Sequence, residues 1–176
     1  MGAAVDGTGS AISFGEQYLP GIYTAIATNM KGCSSLMNGE VEVNANPVAF
    51  NVTPSAAQCP PVKIGINGSE TGVNYILVLE NSIQIDTLQG TGTALSFGAQ
   101  TTSGNYTVLA YNAATLCKTE MNGTAVIKPA PISYPMTPAG ILCPGTPIGL
   151  ANSEVGVSYQ LIRNGGMLVG SAVAGT

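Results

Sequence analysis

The sequence predicts an all-β protein built of tandem Greek-key β-sandwich repeats with a period of about 84. Three observations carry this: blocks of residues recur at a fixed lag, short runs of strand formers are separated by turn dipeptides, and charge is scarce. Of 176 residues, 23 are Gly and 11 are Pro, while only 8% are charged, against roughly 25% in an ordinary soluble domain. Five Lys and Arg are too few to track a phosphate backbone, so nucleic acid is excluded as a partner. The absence of His removes the commonest general base and zinc ligand. An apolar content of 45% with a net charge of −4 argues against a disordered chain.

The repeat is read directly. Phe14-Gly15 recurs as Phe97-Gly98, and Gly21-Ile22-Tyr23-Thr24 recurs as Gly104-Asn105-Tyr106-Thr107, both at a lag of 83. Cys33 recurs at Cys117, Met37-Asn38-Gly39 at Met121-Asn122-Gly123, and Cys59-Pro60 at Cys143-Pro144, all at a lag of 84. Ser69-Glu70, Gly72-Val73 and Tyr75 recur as Ser153-Glu154, Gly156-Val157 and Tyr159. Gly7-Thr8 recurs at Gly90-Thr91 and Gly175-Thr176, so the sequence holds about two periods. Helical solenoid repeats and propeller blades are shorter than this period, which suits a small β-sandwich.

The elements follow in order. Val62–Asn67 and Glu40–Asn44 alternate as half-exposed strands do, and Tyr106–Tyr111 is rich in strand formers. Asn38-Gly39, Asn67-Gly68, Asn122-Gly123 and Gly165-Gly166 are turn signals. No stretch is amphipathic enough for a helix. Pro47 and Pro129/Pro131 stand at equivalent junctions, where linkers fall. The expected organisation is therefore 1–46 as the C-terminal half of a repeat, 47–130 as a complete repeat and 131–176 as the N-terminal half of the next. A second register divides the chain into 1–89 and 90–176. In the first register seven strands are expected, near 48–53, 62–67, 73–79, 83–88, 93–97, 105–111 and 124–128. Seven is the count of an immunoglobulin-like sandwich. Tyr23 and Tyr106, each opening the sixth strand behind a Gly, sit where such a fold places a tyrosine corner. Tyr75 and Tyr159 are expected in the core.

At these residues the chain resembles a known family. Cys-Pro before a short strand, Gly-Val-x-Tyr-x-Leu, Gly-Thr-Gly, Gly-x-Tyr-Thr-x-x-Ala and a closing Cys are similar to the tandem immunoglobulin-like repeats of large secreted surface proteins of Bacteroidota-type bacteria. Gliding-motility adhesins exported by the type IX route are among them. The first Cys departs from many relatives, being followed by Pro-Pro or Pro-Gly instead of a Gly-containing turn. The resemblance implies a module type and carries no catalytic residue.

Two Cys per repeat read as disulfides of an oxidising compartment. Cys33 and Cys59 have the same spacing as Cys117 and Cys143, and each pair is centred on a Pro junction. A chain reversal there would join 33 to 59 and 117 to 143, each loop contributing about 3 kcal/mol. Against this, a linear string of sandwiches runs forward through its linkers. Cys59–Cys117 is the pairing within one repeat, but the fold would put these two at opposite poles, so 33–59 and 117–143 are the expected pairs. Free buried thiols are the remaining alternative. A metal site lacks both His and CxxC spacing, and no metal or cofactor is expected.

Ser69-Glu70 and Ser153-Glu154 read as turns with side chains bonding nearby amides, since calcium wants clustered Asp and Glu. No Gly-x-Ser-x-Gly occurs, and no catalytic residue is assigned. Asn51, Asn67, Asn105 and Asn122 begin N-x-[ST] patterns, and Asp86-Thr87-Leu88 is similar to a bacterial O-glycosylation pattern. Tyr18, Tyr111 and Tyr134 lie outside the repeated positions and are the candidate ligand contacts. Met1–Asp6 has neither the basic nor the apolar region of a signal peptide, position 6 does not suit myristoylation, and no apolar run is long enough to span a membrane.

The expected function is structural: a stalk or filament segment of a long extracellular repeat protein, a cell-surface adhesin, not an enzyme. Its partners would be neighbouring repeats of the same protein, with head-to-tail association of half modules by strand donation. The alternative is a glycan- or protein-binding sandwich module.

Overall fold

The computed structural model describes residues 4–176, and they are all-β. Residues 4–46 carry four short strands: β1 (Gly21–Tyr23), β2 (Ile26–Thr28), β3 (Ser34–Leu36) and β4 (Val41–Val43). The central part carries β5 (Val52–Thr53), β6 (Val62–Ile66), β7 (Val73–Leu79), β8 (Ile83–Gln89), β9 (Leu95–Gln100), β10 (Gly104–Asn112), β11 (Lys118–Glu120) and β12 (Ala125–Ile127). The last part carries β13 (Met136–Thr137), β14 (Gly149–Leu150), β15 (Ser158–Arg163) and β16 (Met167–Ala174).

The centre is a β-sandwich of two antiparallel sheets. One has the order β5-β6-β9; in the other, β8-β7-β10 is extended by β11 and β12, both paired to β10. Period-2 alternation sets the inward faces. Val73, Tyr75, Leu77 and Leu79 of β7 are buried, as are Tyr106, Val108 and Ala110 of β10. Their register places Tyr75 opposite Ala110 and Leu77 opposite Val108. Val62, Ile64 and Ile66 of β6 and Phe97 of β9 face them from the other sheet. Each such side chain contributes about 1.5–3 kcal/mol on burial. Among the described residues every buried core residue lies from Val52 to Ile127, on both sides of Gln89.

Within 47–130 the expected strands are found, with the first reduced to β5, the fifth moved to β9 and one strand, β11, added. Asn122-Gly123 reads as a turn between strands, yet β11 and β12 both run along β10. Gly123 (φ +81°) bends a single edge around the buried Met121. Met121 N–H donates to the Val108 carbonyl at 2.8 Å, so the last strand continues beyond the irregularity. Two hairpins close on residues in the left-handed region: Glu80 and Asn81 between β7 and β8, Asn164 and Gly165 between β15 and β16. That geometry matches the twist of the flanking strands.

Candidate interaction surfaces

The central sandwich has two distinguishable ends. Asn44 arrives at the one formed by the start of β7 and the end of β10: the Cys117 sulfur there lies 3.9 Å from the Asn44 carbonyl oxygen. At this leading end the Val48 N–H donates to Glu70 Oε2 at 2.7 Å. The chain leaves at the opposite, trailing end. There Ile127 pairs with Gly104, and Lys128 N–H donates to the Gln58 carbonyl at 2.8 Å. Between them the first segment runs parallel to the last, bridged at Asn51–Asn122 and Gln58–Ile127.

This course corrects the expected disulfides. All four cysteines are free thiols, and neither 33–59 nor 117–143 is formed. The chain does not reverse at Pro47. It enters beside Cys117 and runs forward to Cys59 at the far end, so the Cys59–Cys117 alternative also spans opposite poles. Cys33, Cys59 and Cys143 are exposed, and Cys117 is half-buried.

The recurring residues recur in space. Tyr106 Oη donates to the Thr102 carbonyl at 2.9 Å, and Tyr23 Oη to the Leu19 carbonyl at 2.7 Å. Tyr75 and Tyr159 each accept a 2.9 Å bond, from the Glu70 and Glu154 amides respectively. Burial holds the Tyr75 and Tyr106 hydroxyls above the ordinary tyrosine value. Ser69 Oγ donates to the Thr93 carbonyl at 2.5 Å and accepts from Thr91 N–H at 3.1 Å. Ser153 Oγ accepts from Thr176 N–H at the same 3.1 Å. Glu154 takes the Ile132 amide as Glu70 takes that of Val48. The Ser-Glu pairs therefore tie their turns to segments 22 to 24 residues away and do not bond the adjacent amides that the sequence suggests.

The equivalent positions differ in what covers them. Phe97 is 6% exposed, but Phe14 is 60% exposed. Ile64 is 0% exposed and Ile148 55%; Met121 is 3% exposed and Met37 42%. In the two flanking parts, strands pair only within each part: β1 with β4, β2 with β3, β13 with β14 and β15 with β16. Each leaves an open apolar groove. One, of about 710 Å³, is lined by Met136, Ile148, Leu150, Tyr159 and Leu161. The other, of about 780 Å³, is lined by Phe14, Tyr23, Met37, Val41 and Val43. Sequence reading identified the recurring residues but not this contrast, because recurrence does not say which copy is covered.

The remaining candidates are dispersed along the chain. Tyr18 is exposed and donates to the Glu16 carboxylate, which raises its pKa. Tyr111 lies on β10 beneath the Lys118 ammonium, 5.4 Å from the ring centre. Tyr134 is half-buried at the position equivalent to Phe50, which packs on the core. The only ring pair among the described residues is Phe50–Tyr75. Asn51, Asn67, Asn105 and Asn122 are exposed, as are Asp86 and Thr87 on β8; the Asn67 side chain already accepts the Asn51 amide at 2.8 Å. No group of three metal-ligating side chains occurs among the described residues, and no described helix could cross a membrane. Comparison with known protein families and with curated proteins finds no match.

Proposed function

We propose that the chain is a load-bearing segment, stalk or filament, of a long extracellular repeat protein that serves as a cell-surface adhesin, built of immunoglobulin-like modules. Three strands facing a sheet formed by the rest support the immunoglobulin-like assignment. The continuity of the core from Val52 to Ile127 favours the register in which 47–130 is the module. The opposite ends at which the chain arrives and leaves support a serial arrangement, since modules so connected extend in line.

One observation carries the mechanical reading: the first and last segments of the module run parallel and are tied by four backbone bonds. Val52 donates to Asn122 and Asn122 to Phe50, while Gln58 donates to Val126 and Lys128 to Gln58, at 2.8 to 3.0 Å. Tension enters at Val48 and leaves at Lys128. It pulls these two segments in opposite senses along their length, so the four bonds are loaded together in shear and not broken one by one.

Single-molecule stretching of a tandem array of residues 47–130 tests this. The expected trace is a sawtooth with equal contour increments of about 260 Å, the whole module extended at about 3.5 Å per residue less its folded length. A featureless extension at low force would refute the load-bearing role.

A further inference from the structure

We infer that successive modules are locked by disulfides across their linkers, each joining the trailing Cys of one module to the leading Cys of the module that follows. In the central module Cys59 is the trailing Cys and Cys117 the leading one. The partner of Cys59 is the equivalent of Cys117 one period on, and the partner of Cys117 is the equivalent of Cys59 one period back. This rests on reading the chain as modules in a row and names the covalent bond between them.

The linker is where the two thiols meet. Asn44 and Lys128 stand one period apart, each the first residue past its module's last strand. Their settings match, since Val43 pairs with Gly21 as Ile127 pairs with Gly104. At Lys128 the module's own first segment lies alongside. Lys128 N–H donates to the Gln58 carbonyl at 2.8 Å and Gln58 N–H to the Val126 carbonyl at 3.0 Å, in a parallel bridge of Gln58 with Ile127. In a parallel ladder a residue turns its N–H and its carbonyl to the same neighbouring segment, at positions two apart. The Lys128 carbonyl therefore faces position 60, where Pro60 has no N–H to donate. Cys59 lies between Gln58 and Pro60, directly beside Lys128.

At Asn44 the other thiol is in place. Cys117 Sγ lies 3.9 Å from the Asn44 carbonyl oxygen, and Cys117 belongs to the module into which Asn44 leads. Moved by one period, that carbonyl is the one on Lys128, and it points to the side on which Cys59 lies. The trailing Cys of one module and the leading Cys of the next thus approach one carbonyl from one side. Each is within about one strand spacing of it, the range a disulfide bridges. No two of Cys33, Cys59, Cys117 and Cys143 form such a pair, because the leading and trailing Cys of one module sit at its opposite ends. Each bond forms from two thiols with loss of two protons and two electrons. A small disulfide such as oxidised glutathione accepts them and leaves as two thiols.

The test uses one polypeptide carrying residues 1–176 followed directly by 9–176, which keeps the period because Gly175-Thr176 repeats Gly7-Thr8. It is oxidised in dilute solution with oxidised glutathione and its peptides are mapped without reduction. Two bonds are expected: Cys59 of the first part to Cys33 of the second, and Cys143 of the first part to Cys117 of the second. Two variants separate these from every other pairing. One keeps only those four cysteines, the rest changed to Ser, and should form both bonds and leave no thiol to alkylate. The other keeps only the remaining four and should leave all four open to alkylation. Free thiols or a different pairing in the first variant, or bonds in the second, would overturn the inference. The force trace of the reduced polypeptide reports the load-bearing role separately, so a sawtooth without these bonds refutes the disulfides alone.

Discussion

Tyr106 shows at the residue scale what a recurring side chain is for. Its ring is buried between the sheets and its hydroxyl closes on Thr102. Tyr106→Phe removes this bond from a buried ring and should lower stability by about 1 kcal/mol, measured by urea unfolding. Tyr23→Phe removes the same bond at a half-exposed site and should cost less. Titration gives the complementary sign. Burial raises the Tyr75 and Tyr106 hydroxyls above the ordinary value of 10.0, so the unfolded chain ionises first. Their contribution is fully present below pH 10 and is lost as pH rises beyond it. Urea midpoints should therefore fall in that window together with the appearance of tyrosinate absorbance; a midpoint that stays flat through it would contradict the burial argument. Gly90 is constrained by space, since a Cβ there would overlap the Glu70 carbonyl oxygen. That backbone oxygen cannot step aside, and Gly90→Ala should destabilise by about 3 kcal/mol, read from the same unfolding curves.

Strands of one type behave differently according to their partners. β7 and β15 share the Val-x-Tyr-x-Leu pattern, but Leu77 is fully buried and Leu161 is 39% exposed. Leu77→Ala should cost about 2–5 kcal/mol. Leu161→Ala in the dilute chain should leave the core transition within about 0.5 kcal/mol. Hydrogen exchange would report the same division: amides of β7 and β10 slow, those of β15 and β16 fast. Equal protection of β7 and β15 in dilute solution would show that the flanking part is already covered. Most strand positions and the core tyrosines Tyr75 and Tyr106 were legible because alternation and turn dipeptides are local signals, whereas Tyr23 and Tyr159, expected in the core as well, are only half-buried. The continuation of β11 into β12 was not, because Asn-Gly signals a change of backbone direction without saying whether the strand resumes on the same neighbour.

The scarcity of charge acquires its meaning in the whole molecule. With only 8% charged residues, the central sandwich is held by apolar packing and backbone bonds. Its stability should therefore change little between low and physiological salt, because there is little charge to screen. Urea midpoints across that range check it, and a strong salt dependence would point to an electrostatic contact instead. The cysteines also belong to this scale. Their equal spacing about the two Pro junctions suggests a closed loop, but the linker runs forward, so spacing along the chain does not translate into proximity.

The sequence by itself determined the all-β class, the period of the repeat and the inward positions, because strand alternation and repetition are properties of neighbouring residues. Only the tertiary structure decided which copy of each position is buried, at which end each thiol lies and which edges have no partner. Those depend on contacts between segments far apart in the chain, which a local pattern does not record.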